Sequence, residues 1–181
     1  GEISLTLQPG WNSVGVPVEF ADYSSRAVLS SLTFGTDYDS VALPPSTTDP
    51  GPPASGSPEI TLNYGKGFWI HVNKETPVTL TLSGTTPFPQ KSFSLPRGWS
   101  AIAVSQLSST PVTSALQGLS ATTDYSEVKR WNAGTQSYDT LTGTSPVQPG
   151  ETLFVNMKRS RSWVYPSPMK IVTTDYLYDG D

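Results

Sequence analysis

The chain has 181 residues, enough for one domain of medium size or two small ones. Its formal net charge of −4 and its scattered basic residues exclude the basic surface that a nucleic-acid partner requires. The absence of cysteine excludes disulfide bonds, thiolate metal sites and a cysteine nucleophile, and no apolar run reaches the roughly 18–20 residues that span a bilayer.

The N-terminal segment predicts two strands and a short helix. Residues 3–18 alternate apolar and polar side chains on both sides of Pro9–Gly10, which predicts two strands around a tight turn or one strand broken by a bulge. Residues 24–32 offer Ser24 or Ser25 as the N-cap of a helix of one or two turns.

A strand, a loop and two further strands follow. Residues 39–43 predict a short strand, and residues 44–58 predict a proline- and glycine-rich loop that does not continue a sheet. Residues 67–72 predict a strand after a glycine turn, and residues 77–84 alternate strictly with the period of a strand. Residues 85–91 predict a linker.

The remainder of the chain predicts the same elements in the same order. Its helix has Thr110 as the expected cap, Pro111 at the first helical position and Gly118 near the end. Residues 128–141 predict a β-hairpin, and residues 152–157 predict another strand.

Four matched blocks at a nearly constant offset indicate an internal duplication. The matched residues are Trp11 with Trp99, Leu29 and Leu32 with Leu116 and Leu119, Asp37 with Asp124, and Gly65 with Gly150. We therefore predict a mainly β protein of two tandem homologous sandwich-like units, each with one short helix. The predicted boundaries are 1–86 and 87–168, with an extra C-terminal strand or linker at 169–181.

The phrases PGWNSVGVPV, VLSSL, YDSV, YGKGFWIHV and TLTLSG together resemble a β-module that is repeated in secreted and surface proteins of bacteria and archaea. The second copy departs from this pattern, with Thr152 at the second glycine and Phe154 at the tryptophan, whereas Trp131 and Tyr138 fit the module's hairpin. The segment TTDYLYDGD is similar to the start of a YD repeat of the Rhs-type shell proteins. The resemblance implies an extracellular or cell-surface location, and the chain, which begins without Met, is expected to be a piece of a longer protein.

The sequence offers few candidate catalytic residues. His71 is the single histidine, and it alternates with Trp69 in a strand, as a polar residue on one sheet face does. Two pairs of acids, Glu19 with Asp22 and Asp124 with Glu127, lie near turns and strand ends, where acids are ordinary capping or solvated residues. We expect no enzymatic activity, no catalytic residue and no cofactor.

Metal binding is the next possibility. Asp37 and Asp39, like Asp179 and Asp181, have the Asp-x-Asp spacing that calcium sites use, but neither pair continues into an EF-hand loop. Asp37 and Asp124 hold the same position in both copies, which favours a shared structural turn. We expect no metal site.

The aromatic residues divide into two groups. Trp11, Trp69 and Trp99 are matched between the copies and are expected to fill the core of each unit. Trp131, Tyr138, Trp163 and Tyr165 have no aromatic counterpart in the first copy and are the candidates for a ligand-binding face, since aromatic rings stack on sugar rings. The alternative is that these four pack between the units or under the hairpin.

The sequence therefore predicts a non-enzymatic extracellular structural or adhesion module of a larger surface or secreted protein. The first alternative is a carbohydrate-binding module that uses the four unmatched aromatic residues. The second is a filament or shell component that assembles by strand addition, because the alternation in residues 171–178 suits an edge strand. The expected partners are surface glycans or other copies of the chain.

Overall fold

The structure, a computed structural model, describes residues 1–87 and 90–166. Within those ranges the chain is mainly β, with antiparallel sheets and two helices of one turn each, so the predicted fold class is confirmed. The elements in chain order are β1 (Glu2–Leu7), β2 (Gly10–Gly15), α1 (Ser25–Val28), β3 (Tyr38–Ala42), β4 (Gly67–Val72), β5 (Val78–Ser83), β6 (Ser92–Leu95), β7 (Gly98–Ala103), β8 (Thr110–Pro111), α2 (Val112–Ala115), β9 (Tyr125–Asn132), β10 (Ser137–Leu141), β11 (Pro146–Val147), β12 (Thr152–Met157) and β13 (Arg161–Val164). The predicted strand at 169–181 lies outside the described residues.

The first half, residues 1–87, consists of two small antiparallel sheets with a core between them. One sheet has the strand order β2-β4-β3, and the other pairs β1 with β5. Because strand side chains alternate between faces, Phe68, Ile70 and Val72 of β4 enter this core. Leu80 and Leu82 of β5 cover them from the other sheet.

The second half, residues 90–166, pairs its strands in the same way. Its main sheet has the order β10-β9-β12-β7, β6 pairs with β13, and a short ladder joins β8 to β11. Thus β6, β7, β9, β12 and β13 occupy the places of β1, β2, β3, β4 and β5. The additional strand β10 forms the predicted hairpin with β9. In its place the first half has residues 44–58, which form no strand.

The helix starts are close to those predicted. Ser24 is the N-cap of α1, and its hydroxyl accepts a hydrogen bond from the Ala27 N–H at 3.3 Å. In the second half the prediction was wrong by one position, because Pro111 is the N-cap of α2 and Thr110 pairs with Val147 in β8. The helix therefore begins at Val112, one residue later than predicted.

The turn between β1 and β2 explains the Gly-Trp-Asn phrase. Gly10 has a φ of +94°, which favours glycine. The buried Asn12 accepts a hydrogen bond from the Gln8 N–H at 2.9 Å and donates one to the Gln8 carbonyl at 2.7 Å. Two strands therefore flank a turn, as predicted, but each pairs with a different partner.

Candidate functional site

The two main sheets pack against each other through the faces that point away from their own cores. At the centre the rings of Trp69 on β4 and Phe154 on β12 stack with centroids 5.5 Å apart and an interplanar angle of 26°. Both side chains are fully buried. We call the surrounding residues the interface cluster: Trp11, Ala42, Trp69, Trp99, Ala101, Trp131, Tyr138 and Phe154.

Contacts across this interface are related by an approximate two-fold axis. Trp69 and Phe154 hold the same position in their halves, and so do Gly67 and Thr152, which also face each other. The Gly15 N–H donates to the Gly150 carbonyl at 2.8 Å. Its counterpart joins the Ala103 N–H to the Gly65 carbonyl at 2.9 Å. The backbone therefore repeats its inter-half hydrogen bonds in both directions.

Each half also covers one tryptophan near the start of a strand in the other half, Trp11 on β2 or Trp99 on β7. The Trp11 N–H donates to the Gln136 side chain at 3.1 Å, and Gln136 donates back to the Trp11 carbonyl at 2.9 Å. The Trp99 N–H donates to the Thr47 carbonyl at 2.7 Å. The hairpin of one half and the proline-rich loop of the other thus perform the same task.

This arrangement places Trp11 and Trp99 differently from the sequence prediction. Both are only half-buried and pack against the interface cluster, not in the core of either half. The prediction of core positions was wrong for these two because the strand face that carries them is covered by the other half. Trp69 is fully buried, but in the same interface.

Two of the four candidate ligand residues, Trp131 and Tyr138, lie together in the interface cluster. Their ring centroids are 5.0 Å apart, and both rings are half-buried. The Trp131 indole N–H donates to the Trp11 carbonyl at 2.8 Å, and the Tyr138 hydroxyl donates to the Gly51 carbonyl. Their polar atoms are therefore already bonded across the interface.

The other two candidates, Trp163 and Tyr165, lie elsewhere, in the core of the second half. They are only 2% and 1% exposed. Trp163 donates its indole N–H to the Gln117 carbonyl at 2.8 Å, and the Tyr165 hydroxyl donates to the Ala103 carbonyl at 2.7 Å. Buried rings offer no stacking platform, so the structure does not bring the four residues together as one ligand face.

A groove of about 380 Å³ borders Trp131 at the edge of the interface. Two pairs of its polar side chains are in contact with each other. Arg130 lies 3.6 Å from the Glu151 carboxylate, and Asn132 donates to Asp139 at 3.2 Å. These two pairs place charged and amide groups beside Trp131 in the groove.

His71 lies on the surface beside Trp11. Its Nδ1 is 2.8 Å from an Asp39 carboxylate oxygen, and its ring meets the Trp11 ring edge-on with centroids 5.0 Å apart. The Ser40 hydroxyl donates to the same carboxylate at 3.3 Å and not to the histidine. This connectivity differs from the serine–histidine hydrogen bond that activates a nucleophile.

Three of the four acids that could have formed a catalytic pair are bound to other groups. Asp22 accepts from the Ser24 N–H at 2.8 Å, and Glu19 lies 3.4 Å from the Lys91 ammonium. Asp124 is 2% exposed and binds both Arg159 and Arg161.

Asp37 and Asp124 close equivalent turns. Asp37 accepts from the Thr33 N–H at 2.7 Å, and Asp124 accepts from the Ser120 N–H at 2.7 Å. The Ser120 hydrogen bond, followed by those from the two arginines, lowers the pKa of Asp124 to about 2. The hydrogen bonds and the lowered pKa both fit an acid that holds a structural turn closed.

In residues 1–87 and 90–166 no three acidic or histidine side chains converge as metal ligands.

No family model, curated protein or solved structure matches the chain. The described helices are both too short to cross a bilayer.

A second groove involves residues that the sequence reasoning missed. It is lined by Tyr64 and Lys66 of the first half and by Phe93 of the second. A difference between the two copies could have indicated these residues. Pro149 and Glu151 in the second copy stand where the first has Tyr64 and Lys66.

Proposed function

We propose that the chain is a non-enzymatic structural or adhesion module of a larger extracellular protein. In this role it is a rigid unit that carries load or holds its flanking segments apart. The observation that supports the proposal is the reciprocal interface, in which backbone hydrogen bonds, loops and aromatic rings of each half engage the other.

The two halves pack closely against each other. Tyr64 of the first half packs into the core of the second half, with its ring 5.3 Å from that of Tyr165. A Cβ on Gly15 would lie 2.5 Å from the Ala103 Cβ. Because packed interiors resist compression, such contact favours one cooperative unit over two mobile ones.

Single-molecule force spectroscopy tests this role. With the chain held between two handle domains, we expect one unfolding event that releases about 55–60 nm, since an extended chain spans about 3.3–3.6 Å per residue. Two separate events of about half that length would contradict a single load-bearing unit. A Gly15→Ala variant, which disturbs the interface alone, should split the event or lower its force.

A carbohydrate-binding module is the second candidate, and the groove beside Trp131 favours it. A glycan array with the whole chain, followed by tryptophan-fluorescence titration of any positive glycan, tests this role. Arg130→Gln should weaken binding at this groove, while Arg97→Gln at an exposed position should not. A blank array removes this candidate and leaves the structural role untouched.

Self-assembly by strand addition is the third candidate. The observation in its favour is that β10 is a terminal strand of its sheet. Light scattering over a concentration series tests it, together with a chain that lacks residues 169–181. Oligomers that grow with concentration support assembly, and a monomer at all concentrations contradicts it.

A further inference from the structure

The groove between Tyr64 and Phe93 has the chemistry of a binding site. Its volume is about 420 Å³, within the range of small-molecule pockets. Aromatic walls come from Tyr23 and Phe93, and the remaining space is bordered by Leu62, Lys66 and the Glu19–Lys91 pair.

The Tyr64 hydroxyl is a buried hydrogen-bond donor in this groove. Tyr64 is 8% exposed, and its oxygen finds no hydrogen-bond partner among the described residues. Burial, with smaller effects of Glu19 and Tyr23, raises the pKa of this phenol. The hydroxyl therefore keeps its proton, and a buried donor of this kind favours a ligand that brings an acceptor.

Lys66 provides a positive charge in the same groove. Its ammonium forms no ion pair with the described residues and lies 4.9 Å from the centre of the Phe93 ring. Burial lowers the pKa of Lys66 because desolvation disfavours the charged form. An anion bound beside the ammonium would offset that cost.

The equivalent place on the other side of the two-fold axis serves as an internal comparison. There Leu5, Pro149 and Glu151 stand where the groove has Phe93, Tyr64 and Lys66. This equivalent groove has the same backbone setting, but it lacks both donors and has the Glu151 carboxylate instead. The donors are therefore not a requirement of the fold.

We propose that the Tyr64–Lys66 groove binds a small organic carboxylate whose body is a ring, with the carboxylate on Tyr64 and Lys66 and the ring against Phe93. Two sources supply this chemistry, an aromatic acid and a uronic acid of a glycan. In both, the flat or apolar face of the ring contacts the phenyl group, while the two donors select a negatively charged acceptor.

Isothermal titration of the whole chain with phenylacetate and with its neutral analogue phenylacetamide tests the carboxylate requirement without any substitution. Glucuronate and glucose form the second pair. We expect at least one acid to bind about tenfold more tightly than its neutral partner, the ratio that about 1.4 kcal/mol produces. The acid that binds better identifies the source.

Variants then locate the site. Lys66→Met and Tyr64→Phe should each weaken binding about tenfold, whereas Lys158→Met and Tyr125→Phe, which change a lysine and a tyrosine outside the groove, should not. The Tyr64→Phe chain keeps its packing because it removes only an oxygen that forms no hydrogen bond with the described residues. Failure of both acids to bind, equal binding of acid and neutral partner, or unchanged binding by Lys66→Met would overturn the proposal. None of these results bears on the force measurement that tests the structural role.

Discussion

Gly15 and Ala103 meet across the two-fold axis in a tight contact between the two halves. A Cβ on Gly15 would lie 2.5 Å from the Ala103 Cβ and 2.8 Å from the Glu151 carbonyl oxygen. The two residues hold the same position in their halves, so one methyl group occupies the space that two equal side chains would have to share. The same is true of Gly67 and Thr152, whose methyl group would lie 2.4 Å from a Cβ on Gly67.

The first prediction follows from this contact. Gly15→Ala should lower the free energy of unfolding by about 1–3 kcal/mol, the usual cost of overpacking an interior. Urea denaturation measures the change. Gly134→Ala is the matched control, because Gly134 lies in an exposed turn and its added Cβ comes no closer than 3.2 Å to another atom. The control should change stability by less than about 0.5 kcal/mol. Equal effects of the two substitutions would contradict a tight interface.

The second prediction concerns the hairpin that covers Trp11. Gln136→Ala removes both hydrogen bonds to the Trp11 backbone and should cost about 0.5–1.5 kcal/mol, the net value of such bonds at a partly solvated site. Gln117→Ala is the control, since this glutamine is exposed and its side chain forms no hydrogen bond with the described residues. Thermal unfolding followed by tryptophan fluorescence measures both. If the two variants melt together, the hairpin is not held by this contact.

The third prediction is a pH dependence. The Ser120 hydrogen bond and the two arginines lower the pKa of Asp124 to about 2, whereas the carboxyl of an unfolded chain titrates near pH 3.9. The stabilisation is therefore fully present above about pH 4 and is lost as the pH falls toward about 2, because the unfolded chain takes up the proton first. We expect Tm to fall steeply over this range.

Asp124→Asn should lower Tm at neutral pH and flatten its fall between about pH 4 and 2. Asp37→Asn provides the comparison, because Asp37 closes the same turn in the first half. The pKa of Asp37 is also lowered, by the Thr33 N–H and then by Lys74, but the carboxylate is more exposed and binds only one cation. Its substitution should have the smaller effect. An Asp124→Asn chain that follows the wild-type curve would show that the carboxylate does not govern acid stability.

Much of the architecture could be predicted from the sequence because matched residues mark matched elements. Asp37 and Asp124 lie at constant positions before β3 and β9, and Gly65 and Gly150 precede β4 and β12. The alternation of apolar and polar residues then predicted the strands. In β4, for example, Phe68 and Ile70 lie on one face of the sheet and Trp69 lies on the other.

Alternation could not predict what covers the second face. Trp11 and Trp99 have the pattern of core residues, yet their face is covered by the other half, and the covering loops differ between the halves. Trp163 and Tyr165 were predicted as candidate ligand residues because they lack aromatic counterparts, but Trp163 on β13 and Tyr165 just after it both lie in the core. A missing counterpart indicates a local difference and not an exposed position.

The candidate groove was beyond prediction for a related reason. The change from Pro149 and Glu151 to Tyr64 and Lys66 is visible in the sequence, but its meaning depends on Phe93, which reaches the groove from the other half. Only the packing of the halves brings these three residues together.

If the two halves form one unit around the two-fold axis, equivalent residues must share space where they meet on it. The double variant Gly15→Ala with Ala103→Gly moves the methyl group to the other side of that axis. Comparing its free energy of unfolding with those of both single variants by urea denaturation tests the claim most directly. We predict that the double variant recovers part of the stability that Gly15→Ala loses, a coupling of about 0.5–3 kcal/mol, because Ala103→Gly removes the methyl contact but leaves the backbone contacts of Ala103 and Glu151. Additive losses in the double variant would contradict it.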